Sequence, residues 1–346
     1  MLVVSPLLRR VVYPALHHSG CLARVAPAAG YAIVNYHGVL PSGYSSGDVL
    51  LDGTLVQPDA FRQHLQFLKA HYHIIRPEEF RASIEQGESL PPRSVLLTCD
   101  DGLVNAFTEM LPVLQSENVS CLFFVTAASC SDQPGMLWFQ ELYHLMRMNP
   151  VIGLDPNLPA DESEAAKPAN GFHSLWWSTV RRASRWDAAK RKDWMDQVRS
   201  SCASMPSPAS DRQWQLLGHA ELKQLVDSGM SIGAHSLSHN VLSLCSEEEA
   251  RREIQDSKIE IEQSLGRPVW AFAYPFGDPS TVGERELRLA QESGYSCAFV
   301  NVEEWDTECS TPFALERTHV TSDMAVPELA AHLSGVHKRL QRAMAG

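Results

Sequence analysis

Short apolar runs alternate with helical periodicities from residue 32 onward, and that alternation restricts the chain to a parallel α/β architecture. Ala32-Ile33-Val34-Asn35-Tyr36 reads as a first strand. Phe61, Leu65 and Leu68 then recur at helical spacing, Ile74-Ile75 makes a short strand, and Pro77 opens another helix. Further strands are expected at residues 95–99, 122–125, 231–234, 271–273 and 297–300, with a helix through Phe107, Leu111 and Leu114 after the first of them. Ser246 and Glu249 write a capping box ahead of the stripe Ala250, Ile254, Ile261, Leu265, which Gly266 and Pro268 bring to a stop. With 346 residues there is room for one barrel-sized domain with an insertion.

The repeating unit breaks at about 131–214. An acidic, Pro/Ala-rich stretch at 161–170 precedes a segment rich in Trp, Arg and Lys, including Trp176, Trp177, Trp186 and Trp194. Because the strand pattern resumes afterwards, this is an insertion on a barrel rather than a second domain. It is expected to be a helical hairpin on the barrel flank, with sugar stacking or lipid contact as the alternative. The organisation is then an N-terminal helical segment, 1–30, and a barrel, 31–346. Residues 1–25 carry apolar residues ahead of Arg9-Arg10, the reverse of a secretory signal, and no run reaches the roughly 18 apolar residues of a membrane span. They are expected to pack on the domain, the alternative being peripheral contact with an anionic inner-membrane surface. A cytoplasmic location follows as an expectation, supported by eight cysteines without a Cys-x-x-Cys pair that read as reduced core residues. A net charge of -12 argues against a general nucleic-acid binder and suits a saccharide or other small substrate.

Chemistry-bearing residues gather where the expected strands end. Thr98-Cys99-Asp100-Asp101-Gly102 closes one strand, His235-Ser236-Leu237-Ser238-His239 follows another, Tyr274-Pro275-Phe276-Gly277 a third, and Tyr36-His37-Gly38 the first. Taken singly, an Asp-Asp-Gly can be a solvated turn and a His pair can be core. In a barrel, however, the C-terminal ends of the strands are where an active site is assembled. Successive side chains of an extended chain point to opposite faces, so Asp100 and Asp101 can do different work. Asp101, His235 and His239 make a three-ligand set of the kind that holds a catalytic divalent metal, zinc first, with an open position for water. Asp100 is then free to act as general base, His37 as general acid, and the backbone N–H of Phe276 as an oxyanion donor.

The first three of these motifs, in their order along the chain, resemble those of the NodB-homology polysaccharide deacetylases, carbohydrate esterase family 4, over about residues 31–325. The resemblance implies a distorted (β/α) barrel of about seven parallel strands and metal-dependent removal of N-acetyl groups from amino sugars, with zinc, cobalt, nickel or manganese as cofactor. It assigns the base to Asp100, the metal to Asp101, His235 and His239, and a substrate groove to Tyr274, Pro275 and Phe276. Three departures stand out. Cys99 replaces the usual aromatic and is expected to face inward. Ala273 replaces the arginine that orients the base, a role that can pass to Arg317. No Leu-x-x-His motif is present, so the acid falls to His37, as in a subgroup with an N-terminal Tyr-His segment and a Phe-Ala-Tyr-Pro motif, with His319 as competitor. The expected function is a glycan N-deacetylase acting on a polysaccharide, oligosaccharide or lipid-linked saccharide. The rivals are a saccharide-binding barrel without catalysis, and an amidohydrolase acting on a formyl-amino sugar or cyclic imide. No protein partner follows from the sequence.

Overall fold

The structure, a computed structural model, describes residues 5–25, 27, 30–46, 48–132, 134–160, 171–202, 212–305 and 311–345. The acidic stretch at 161–170 lies outside the described residues. Among the described residues eight strands form one sheet: β1 (Tyr31–Tyr36), β2 (His73–Ile74), β3 (Ser94–Cys99), β4 (Leu122–Val125), β5 (Ser231–Ala234), β6 (Ala271–Ala273), β7 (Cys297–Phe299) and β8 (Thr318–His319). Their order is β7-β6-β5-β4-β3-β1-β8 and every pairing is parallel, with β2 sharing the edge of β3 at its start. This is the parallel α/β architecture that the alternation predicts, closed as the distorted barrel that the resemblance implies. β3 is buried along its whole length, as a parallel strand covered on both faces must be.

The period-two alternation of the strands sorts two layers. Val34, Tyr36, Val95, Leu97 and Phe123 pack outward into the main core beneath the helices. Ile33, Leu96, Leu122, Phe124 and Phe299 pack inward, where they fill the barrel. Asn35 and Thr98 have the parity of Ile33 and Leu96, and stand one pleat further along on the inner face. Cys99 belongs to the outer core with Tyr36 and Phe123, not to the inner face where it was expected. The reason is register: two residues after Leu97, it must share that residue's side of the sheet.

Barrel closure comes from a segment with almost no strand signature. Leu315 bridges to Phe299 on one side, and three residues later β8 pairs with β1 through Thr318↔Val34 and His319↔Asn35. The backbone N–H of Arg317, between those contacts, donates to the Val302 carbonyl at 3.0 Å.

Among its described residues the insertion supplies three α-helices, Trp138–Met148, Phe172–Ala183 and Ala188–Ser201, with a core of their own built on Leu142, Met146, Val180, Trp186, Trp194 and Met195. That core also takes in Val241 and touches Phe276, both in loops after β5 and β6. The helices therefore stand over the strand ends rather than on the flank. Helix Glu247–Leu265 begins with the Ser246 hydroxyl accepting from the Glu249 N–H at 3.2 Å and ends at Gly266 with φ of 63°. The capping box is half formed, because the Glu249 carboxylate accepts instead from the Ala188 N–H of the insertion at 2.9 Å.

At the N-terminus, the helical segments Leu8–Val12, Tyr13–His18 and Cys21–Arg24 pack on the domain. Tyr13 is fully buried and its hydroxyl is hydrogen-bonded to His337 Nδ1 at 2.6 Å, while Arg9 pairs with Asp323 and Glu328. Leu7 and Val11 remain exposed. Among the described residues no helix is long and apolar enough to cross a membrane.

Candidate active site

The inner-face pleat that carries Asn35 and Thr98 leads directly to Asp100, which follows the last residue of β3. Arg317 reaches its carboxylate from the closing segment with a bidentate fork, Nη1 to Oδ1 and Nη2 to Oδ2, both at 2.7 Å. The remaining guanidinium donors go to Thr98 Oγ1 at 3.3 Å and the Val300 carbonyl at 2.9 Å. Asn35 Nδ2 adds a third hydrogen bond to Asp100, at 2.9 Å. Both charges are buried, Asp100 to 2% exposure and Arg317 to 1%. Burial works to raise the pKa of Asp100, but the Arg317 guanidinium, with His235 and His37 beside it, holds the carboxyl below its ordinary range. Arg317 thus holds the Asp100 carboxylate that Ala273, without a cationic side chain, cannot hold.

Asp101 leaves β3 in the left-handed region, at φ of 74°. Its Oδ1 lies 3.2 Å from His239 Nε2 and 3.5 Å from His235 Nε2, so one carboxylate oxygen and two imidazole nitrogens converge within 4.8 Å. His235 Nδ1 donates to the Ala273 carbonyl at 2.7 Å, which fixes the ring so that Nε2 faces Asp101. Burial would raise the Asp101 carboxyl, yet the two histidines take it well below its usual range. A buried carboxylate, two oriented imidazoles and a second ionised acid balanced by a single guanidinium form a donor set suited to a divalent cation.

The loops that deliver these groups are bent in ways L-residues rarely adopt. Among the described residues six non-glycines have positive φ, and four of them, Asp101, Ser236, His239 and Phe276, are here. Strain of this kind persists only where the surroundings over-determine it, and it gathers at functional sites. His37 is presented by the turn at Gly38, where a Cβ would overlap Asn105 Oδ1. His37 and His319 face each other with ring centroids 4.7 Å apart. Asn301 Nδ2 donates to His319 Nδ1 at 3.2 Å, and burial, then the neighbouring His37, pulls His319 down to about 3, so it is a neutral imidazole.

His37, Asp100, Asp101, His235, His239 and Phe276 line one cavity of about 390 Å³. Phe276 also packs its ring against that of His239, 4.8 Å between centroids. Tyr274 does not share this position. It is fully buried, its hydroxyl donates to the Phe313 carbonyl at 3.0 Å, and it serves the core rather than a substrate groove, as the residue pointing away from the cavity beside inward Ala273. Pro275 is buried and is not among the residues lining the cavity. Asn35, Thr98 and Asn301, which tie Asp100 to His319, were not anticipated, although the parity of Asn35 and Thr98 with the inward strand residues was a usable signal.

The family profile described as polysaccharide deacetylase matches residues 87–298, more than half of the chain. No curated protein sequence matches it significantly. Among solved structures it is similar to the Streptococcus pyogenes deacetylase PplD in complex with acetate, at 18% identity over 88% of this chain and 97% of that one, with a TM-score of 0.56. IcaB from Ammonifex degensii matches at 18% identity over 88% and 97%, TM-score 0.54. A de-N-acetylase from Aggregatibacter actinomycetemcomitans matches at 13% identity over 87% and 99%, TM-score 0.52. At such identities the likeness is one of fold.

Proposed function

This chain belongs to the polysaccharide deacetylase family, hydrolases of carbon–nitrogen bonds that act on glycans, and on that premise we propose that it is a metal-dependent N-deacetylase of amino sugars. The observation that carries the proposal is the juxtaposition, in one cavity, of the Arg317-clamped Asp100 carboxylate with the Asp101, His235 and His239 donor set.

A divalent ion held by Asp101, His235 and His239, zinc first and cobalt, nickel or manganese otherwise, supplies Lewis acidity that acidifies water and polarises the amide carbonyl. Asp100, ionised through its pairing with Arg317, takes the proton from the attacking water. Its two fixed oxygens leave it little freedom to turn away from that proton. Phe276 N–H donates to the oxygen on which charge develops. As the C–N bond breaks, His37 protonates the departing amine, leaving acetate and a free amino sugar. His319, held neutral, is too weak an acid to protonate the amine and acts through its ring contact with His37. The presence of Arg317 bears against the rival reading of a barrel that has lost catalysis, since the vacancy behind that reading is filled.

Purified protein should contain about one equivalent of divalent metal and release acetate from N-acetylglucosamine oligosaccharides. Asp100→Asn should retain the metal and lose about 100-fold to 10,000-fold in kcat, the range for a positioned acid or base. Full activity in that variant would refute the assigned base. His235→Ala should lose metal and rate together, and unchanged metal content in it would remove the ligand assignment.

A further inference from the structure

The cavity has a second set of walls that plays no part in the chemistry above. Phe139, Gln140, Tyr143, His173, Trp176 and Trp214 all come from the insertion, and together they supply a third of its eighteen lining residues. Their polar atoms are committed unevenly. Trp176 Nε1 donates to the Phe139 carbonyl at 3.0 Å, and the Tyr143 hydroxyl donates to Asp48 Oδ2 at 2.6 Å. These bonds pin two rings that meet edge to face at 5.4 Å, leaving them as rigid apolar surface. Trp214 Nε1 and Gln140 Oε1 are different. Both atoms are buried without a partner, on side chains 1% and 9% exposed. Most buried polar groups are hydrogen-bonded, so an idle donor and an idle acceptor beside one cavity mark groups that a ligand can complete.

The ligand chemistry follows from that pairing. A sugar hydroxyl both donates and accepts, which satisfies an indole N–H and an amide oxygen alike, while the C–H face of a pyranose is the apolar surface that a fixed aromatic ring covers. The cavity, about 390 Å³, sits at the low end of the roughly 300–1,000 Å³ of small-molecule sites, room for one or two sugar units.

Resting on the deacetylase reading, we infer that the insertion forms the recognition subsite for a single N-acetylated hexosamine ring at the end of a glycan. Trp176 and Tyr143 are its stacking surface, and Trp214 Nε1 and Gln140 Oε1 hold its hydroxyls. Specificity for the sugar is then a property of the insertion, and the barrel supplies the reaction.

Binding can be read apart from turnover by titrating the metal-loaded Asp100→Asn protein with N-acetylglucosamine and its di- to hexasaccharides, using tryptophan fluorescence. Affinity should reach its plateau by the disaccharide. It should fall about tenfold when Trp214→Phe or Gln140→Leu is added, the loss expected for one buried hydrogen bond. In the otherwise native protein, the same two substitutions should raise KM and leave kcat within a factor of about two, because the bonds they remove are held equally in ground and transition states. Gln140→Leu keeps the test open if Trp214→Phe does not fold. Affinity that climbs with every added unit, or that ignores both substitutions, overturns the inference. Acetate release combined with indifference to both substitutions removes the subsite and leaves the deacetylase reading standing. Binding that follows the substitutions without acetate release from any oligomer removes the reaction and leaves the subsite.

Discussion

The strand-end loops of the barrel and the helices of the insertion face the same cavity, but they hold their side chains in place by different means. In the barrel, position comes from backbone ladders and buried charge: Asp100 continues a fully buried strand, and both of its oxygens are held by Arg317. In the insertion, position comes from packed rings, with Trp176, Tyr143, Phe139 and Phe172 meeting at centroid separations of 5.2 to 6.3 Å. A parallel ladder sets a carboxylate to within fractions of an ångström, which proton transfer requires. Ring packing tolerates exchange of one apolar shape for another, which suits a surface that selects among substrates. The two regions are also joined. Arg191, in insertion helix Ala188–Ser201, is 3% exposed, donates to Ser238 Oγ at 2.6 Å and lies 3.6 Å from Glu253. Glu253 in turn accepts from the Ser238 N–H at 2.9 Å, so the loop bearing His235 and His239 is braced from behind by barrel and insertion together.

If the barrel side is held by charge, the largest effect on folding should come from breaking the Asp100 clamp. Arg317→Met leaves a buried carboxylate without its cation and should cost about 3–5 kcal/mol, measured as a shift in urea midpoint at constant m. Adding Asp100→Leu should recover most of that loss. If the double variant were as unstable as the single one, the cost would lie in packing, and the contrast between the regions would fail.

A smaller effect concerns the outer layer of the barrel. His64, on helix Pro58–His71, is 1% exposed, donates from Nε2 to the Met324 carbonyl at 3.0 Å and accepts from the Tyr36 hydroxyl at 3.3 Å. Burial lowers it to about 4, below the roughly 6.5 of the unfolded chain. The unfolded state therefore takes up a proton that the native state refuses. Stability from this residue is complete above pH 6.5, falls as pH drops from 6.5 toward 4, and changes by about 3 kcal/mol in all. Denaturant midpoints of wild type and His64→Gln should diverge at neutral pH and converge near pH 4. A constant difference between the two across that range would show that His64 is not held neutral.

The smallest effect tests the brace. Arg191→Met should weaken metal affinity by about tenfold, at the lower end of what partners behind a metal ligand contribute, as measured by chelator competition. The exposed Lys192→Ala, one residue along, should leave metal affinity where it is. Equal behaviour of the two variants would mean that the insertion does not support the metal loop, and that its role ends at the cavity wall.

Much of the barrel could be read in advance because its elements announce themselves locally. β1, β3, β4 and β5 fall where the apolar runs lie, and helix Glu247–Leu265 begins and ends at its written signals. Asp100, Asp101, His235 and His239 were visible for the same reason, each standing within two or six residues of a strand that could be recognised. β8 was not visible: it is two residues long and its pairing partner, β1, lies nearly 300 residues earlier. The insertion helices were legible as helices, but nothing in their periodicity says which end of the barrel they cover. That choice rests on Val241 and Phe276, loop residues that complete the insertion's core.

What the sequence by itself determined was therefore the alternating architecture and the inventory of reactive groups at the strand ends, because each of these follows from local period and spacing. What the tertiary structure decided was the set of partners: Arg317 for Asp100, the Ala273 carbonyl for His235, the insertion's aromatic rings for the cavity, and a core position for Tyr274. The physical reason is that a hydrogen bond or a buried ion pair depends on distance in space. Residues 100 and 317 are brought within 2.7 Å of one another only when the last short strand closes the barrel against the first.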